Sequence, residues 1–265
     1  MSDKRFGKFG MLELPLGVQS VIDHPVQPFI KNQFGIRGNL NMGCFSFTGS
    51  NYASISALST NILGGQGDFT VSAMGKSTGF NVVFAQRLFS VYGDATNQFG
   101  LNTPLFGSQR IGRFFLVAND GGNSTTTSDA TAGTWLRYTY VWVAATKRMT
   151  LFLGATSIST RVYASLFDAV AATQFFLGAQ NDGASRMTGA GADFRIYNVA
   201  KTVDAAWLAG LLTSAHDTTG LVAWYPYPSQ DGSVRDYSGN NNHMITTGGS
   251  LYSASGGPGL PWWPA

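Results

Sequence analysis

Charge is scarce in this chain. Only 12% of its 265 residues are Asp, Glu, Lys or Arg, about half the usual quarter. Glu13 is the single glutamate. The scarcity of residues that cover exposed helix faces argues against a helical protein and for a surface clothed largely by Ser, Thr, Asn and Gly. Low surface charge also favours association over solubility. Cys44 stands alone between Gly43 and Phe45, so no intrachain disulfide can form; it reads as a small buried hydrophobe. No apolar run approaches the roughly 20 residues of a membrane helix, so no membrane insertion is expected. The net charge is only +3, with part of the excess in Lys4, Arg5 and Lys8. No basic stripe is visible, which argues against a nucleic-acid partner. Met1 to Gly10 is polar and basic with no apolar core behind it, so no signal peptide is read there, and synthesis in a cytoplasm is expected.

What is abundant is apolar and turn-forming: 44% hydrophobic residues and 33 glycines, a composition that suits a large all-β domain. The chain is organised around residues 192–212. Phe194 and Ile196 alternate with Arg195 and Tyr197 as a strand does. Val203, Trp207, Leu208, Leu211 and Leu212 then recur at helical spacing, with Thr202 as the expected N-cap and Asp204 in the first turn. Further strands are read at Cys44 to Phe47, Asp68 to Met74, Thr134 to Trp142, Met149 to Gly154, Gln174 to Gly178 and Gly220 to Tyr225. Residues 92–109 and 119–132, rich in Gly, Asn and Thr, read as loops. Residues 1–33 have no sustained period and read as an extended N-terminal arm. The expected organisation is that arm, a β-sandwich over 34–250, and a C-terminal tail over 251–265.

Several of these stretches together resemble the laminin-G-like, concanavalin-A-like lectin domains. "DFRIYNVAKTVDAAWLAGL" resembles that family's closing strand and helix, "NMGCFSFTGSNYASI" its opening hairpin, and "DFTVSAM" and "TWLRYTYVW" two core strands. Thr48 stands where the family usually has aspartate. The segment from Gly220 to His243, with Asp236-Tyr237-Ser238-Gly239-Asn240-Asn241-Asn242-His243, resembles the family's usual first segment but stands last, as in a circular permutation. The resemblance implies a two-sheet antiparallel jelly-roll sandwich with one short helix.

Chemistry is harder to find. Retaining glycan hydrolysis needs two carboxylates about 5 Å apart, hence acidic residues at alternating strand positions. No such alternation exists, so no enzyme is expected. His216, Asp217 and His243 could be assembled into a hydrolytic triad, but no nucleophile elbow accompanies them. His243 reads instead as a loop residue, with Asp236, Ser238 and Asn240 bonding backbone amides. No cofactor is expected. The resemblance raises calcium at the rim, for which Asp94, Asn119, Asp120, Asn181 and Asp182 are the candidates, though turn formation explains each of them adequately. Sugar binding needs an aromatic face beside polar loop residues; Tyr92, Asn97 and Phe99 could supply one, and so could Trp224 with Tyr227.

Two functions follow as expectations. The first is a non-enzymatic structural protein of a bacteriophage particle, a capsid decoration or tail-associated protein, made in the host cytoplasm and located in the virion. Its apolar arms would meet other virion proteins and build a homo-oligomer, a trimer by guess from that setting, and it could hold a cell-surface glycan. The second is a carbohydrate-binding adhesion module outside any virion.

Overall fold

The computed structural model describes residues 43–56, 67–77, 87–92, 98–102, 110–111, 113–117, 128–129, 133–163, 174–179, 186–212, 216–254 and 257–258. All of these belong to one compact unit, Asn41–Trp263. The arm expected over 1–33 and the last residues of the tail lie outside them.

Alternation of side chains builds two antiparallel sheets. The eight-stranded sheet contains β1 (Cys44–Thr48), β3 (Phe69–Ser77), β9 (Leu136–Val143), β10 (Arg148–Leu153), β11 (Thr156–Val162), β13 (Thr188–Tyr197), β14 (Leu221–Tyr225) and β16 (Tyr252–Ser253). Its order is β11-β10-β9-β3-β13-β1-β16, with β14 also paired to β13. The six-stranded sheet contains β2 (Tyr52–Ile55), β4 (Arg87–Tyr92), β5 (Gln98–Asn102), β7 (Arg113–Val117), β12 (Gln174–Leu177) and β15 (Ile245–Thr247), in the order β15-β2-β12-β4-β5-β7. A short pair joins β6 (Arg110–Ile111) to β8 (Ser128–Asp129). One helix, α1 (Ala205–Leu211), follows β13. The architecture is the two-sheet jelly-roll sandwich, with one short α-helix among the described residues.

The core lies between the sheets, because each strand turns one apolar row inward. Phe69, Val71 and Ala73 of β3, Tyr138, Tyr140 and Trp142 of β9, and Phe194 and Ile196 of β13 meet Phe89, Val91, Phe175 and Leu177 of the other sheet. Phe89 and Tyr140 pack edge to face at 5.8 Å, and Phe175 stacks on Tyr225 at 6.3 Å. Cys44 is buried, as its neighbours imply.

The C-terminal segment completes the larger sheet. Phe194–Tyr197 pairs with Leu221–Tyr225, and β1 is flanked by β13 on one side and β16 on the other. Sheet pairing therefore runs to Ser253. Behind β14, Asp236 holds a tight loop: its carboxylate accepts from the backbone N–H groups of Trp224, Ser238 and Asn242 at 2.8–2.9 Å and from Ser238 Oγ at 2.8 Å. His243 Nδ1 accepts from Asp236 N at 3.0 Å, the loop role expected of it. Asn240 differs, since its amide donates to the carbonyls of Leu221 and Val222 rather than bonding amides.

Three expectations are corrected. Residues 92–109 are not one loop, because Gln98–Asn102 forms β5; Phe99 and Leu101 do alternate, but over too few residues to stand out among Gly, Asn and Thr. Residues 119–132 are likewise not all loop, since Ser128–Asp129 pairs with Arg110–Ile111, a contact that no local period signals. The N-cap of α1 is Asp204, not Thr202. Its extended backbone leaves Oδ1 2.7 Å from Trp207 N, an acceptor for one of the orphan amides of the first turn.

Candidate functional site

The outward side of the eight-stranded sheet carries a buried polar cluster. Near its middle, β13 bulges: the register with β3 shifts between Ala192 and Arg195, and Asp193 takes φ +49°. Aspartate tolerates this left-handed conformation better than most residues. The bulge brings the Asp193 carboxylate between two arginines. Oδ1 accepts from Arg195 Nε at 2.8 Å and from Trp224 Nε1 at 2.7 Å, while Oδ2 accepts from Arg137 Nη2 at 2.5 Å. Asp193 and Arg195 are fully buried. Burial alone would raise the Asp193 pKa; the charges of Arg195 and Arg137 outweigh it and hold the carboxyl down at about 2. Arg195 Nη2 also donates to Leu211 O at 2.9 Å, tying α1 to the sheet.

An aromatic ledge rests on this cluster. The Arg195 guanidinium sits over the Trp224 ring at 4.7 Å, and His216 packs against the same ring at 4.4 Å. Tyr237 lies 6.2 Å from Trp224 and 6.0 Å from Tyr227. All four rings are half-buried. Burial pushes the Tyr227 hydroxyl well above its usual range, helped by its contact with Tyr237. The indole N–H of Trp224 is committed to Asp193 and the Tyr227 hydroxyl is engaged with Tyr237, so what this ledge offers is ring surface.

Trp224 and Tyr227 are thus brought together, joined through Tyr237. The sequence reading missed Tyr237 and gave His216 only a triad role. Tyr237 had a signal, since it stands inside the recognisable "DYSGNNNH" segment. Tyr92 lies elsewhere. It ends β4, opposite Gln174, on the outward side of the six-stranded sheet, and so on the other face of the sandwich from Trp224. Phe99 occupies β5 in register with Val91. Asn97 and the calcium candidates Asp94, Asn119, Asp120, Asn181 and Asp182 lie outside the described residues.

The carboxylates whose side chains are described each have a structural partner. Asp68 accepts from Ala144 N, Asp204 caps α1, Asp217 pairs with Lys201 at 2.6 Å, and Asp231 closes a turn on Ser233 N. Asp193 and Asp236 are committed as described above. Among the described residues no group of three or more His, Cys, Asp or Glu could hold a metal ion.

Residues 47–205 match the family model described as the concanavalin A-like lectin/glucanases superfamily. No curated protein matches the chain. Among solved structures, a candidate carbohydrate-binding protein from Bacteroides ovatus is similar at 15% identity and a TM-score of 0.59 over 80% of this chain. The match spans 58% of that protein's length. A heptameric SAP-like pentraxin from Limulus polyphemus is similar at 14% identity and a TM-score of 0.53, over 82% of this chain and 96% of its own.

Proposed function

Because the chain belongs to the concanavalin A-like lectin/glucanase superfamily, we propose that it is a non-enzymatic, lectin-like module that binds a glycan at the ledge of Trp224, Tyr227 and Tyr237. The observation that supports this reading most is the convergence of half-buried rings on one outward face, with Trp224 fixed from beneath by Asp193 and Arg195. Sugars present C–H faces, which stack on such rings. The structural roles of the described carboxylates favour binding over hydrolysis.

A glycan array followed by calorimetry tests the assignment. Tyr237→Ala is expected to weaken binding by about tenfold, or 1.4 kcal/mol. Tyr92→Ala, on the opposite face, is expected to leave it unchanged. Absence of binding across the array, or the reverse ranking of the two variants, would overturn the reading.

A finer setting is proposed from the sequence alone: a structural protein of a bacteriophage particle, joined to its neighbours and to copies of itself through the apolar terminal arms. Immunogold labelling of purified particles checks it, and unlabelled particles from a lysate containing the protein would refute it.

A further inference from the structure

The interface between β13 and α1 has an imbalance of donors and of charge. In the cluster beside it, Arg195 and, from β9, Arg137 bring two positive charges, and among the described residues Asp193 is the carboxylate paired with them. Side-chain exposure is 9% for Arg137 and 0% for Arg195 and Asp193, so water cannot screen the excess. The other nearby ion pair, Lys201 with Asp217, is already balanced. Three polar atoms at the same interface are sealed from solvent without a hydrogen-bond partner: Arg195 Nη1, Tyr197 Oη and Trp207 Nε1. Two of these can only donate. Tyr197 lies beside the Arg195 guanidinium and packs against Trp207 at 6.1 Å, but no bond of good geometry closes between Tyr197 Oη and Arg195 Nη1.

Buried donors without acceptors are costly, and an uncompensated buried cation more so. One occupant would answer both deficits: an acceptor that carries negative charge and needs no donor in return. We propose that the β13–α1 interface binds a small inorganic anion of the halide class, held by Arg195 Nη1 and Trp207 Nε1 with Tyr197 Oη as a further donor. The anion would sit where Arg195 also ties α1 to the sheet through Leu211 O. This proposal is independent of glycan binding.

Crystals of the full chain grown in bromide test it directly. The expected result is an anomalous peak in contact with Arg195 Nη1 and Trp207 Nε1. In solution, replacing gluconate by chloride at constant ionic strength should raise the melting temperature by about 3 °C. Trp207→Phe, which keeps a ring but removes one donor, should abolish at least half of that increment. A water without anomalous signal at the site, direct closure of Arg195 on Tyr197, or a halide response unchanged in Trp207→Phe would each overturn the proposal. The bromide measurement stands on the unaltered protein should the variant fold poorly.

Discussion

Replacing Asp193 by asparagine isolates the charge of the buried cluster. Asparagine keeps the shape of the side chain and tolerates the left-handed backbone that Asp193 adopts, so no new strain enters. What is lost is the anion between Arg195 and Arg137, while Trp224 Nε1 keeps an acceptor. Breaking a buried ion pair from one side costs about 3–5 kcal/mol, because the remaining charge stays buried. In a domain of this size that lowers the melting temperature by roughly 10 °C. Urea denaturation at pH 7, followed by tryptophan fluorescence, measures the loss. The pH dependence supplies an internal check. The folded-state pKa of Asp193 is about 2 against an ordinary value of 3.8. A depressed carboxylate contributes its stability above the unfolded value and loses it as pH falls through the folded one. The wild type should therefore lose about 2 kcal/mol between pH 5 and pH 2 through this group, and the asparagine variant should lack that component. A loss below about 1 kcal/mol at pH 7, with acid unfolding unchanged, would refute the role given to the cluster.

Other expectations concern the fold around it. Asp204→Ala should cost about 1 kcal/mol by uncapping α1, whereas Thr202→Ala should cost almost nothing in the same melt. Trp207→Ala should destabilise by about 3 kcal/mol, as the helix docks through that ring on Tyr197. Truncation before Gly220 should abolish the cooperative thermal transition, because it removes β14 and β16 and strips the partners from one edge of β13 and β1. Gly248→Ala should reduce stability by more than about 2 kcal/mol, since φ is +79° and an added Cβ would meet the Ser50 carbonyl oxygen at well below contact distance.

Much of this fold could be read from local pattern. The strand, turn and helix over 194–211 carry two distinct periods, and the loop after Val234 is spelled out by its Asp, Ser, Gly and Asn residues. Those signals act over a few residues. The parts that escaped depend on register. Asp193 reads only as an acidic residue before Arg-Ile-Tyr-Asn; that it meets Arg137, 56 residues away, follows from the pairing of β13 and β9 with opposite edges of β3. Strand β11, Thr-Ser-Ile-Ser-Thr-Arg-Val, is small and polar at the edge of its sheet and has no apolar alternation to announce it. Tyr227 and Tyr237 meet because the Asp236 loop doubles back on β14. Trp224 and Tyr227 were legible as aromatic candidates, but their separation from Tyr92 by the thickness of the sandwich was not.

The position of β1 has a consequence during synthesis. Its described neighbours are β13 and β16, and Asn51 beside it donates to Ser250 O across 199 residues. Among the described residues strand β2 likewise pairs with β12 and β15. These two strands leave the ribosome well before the described partners they pair with. At 5–20 residues per second the interval before β13 emerges is roughly 10–30 s. Phe45 and Phe47 spend that time without their final cover. Folding is consequently late and close to all-or-none with respect to chain length. Nascent chains that stall before Ser253 would present these strands to chaperones and proteases, so the order of segments also selects for completed chains.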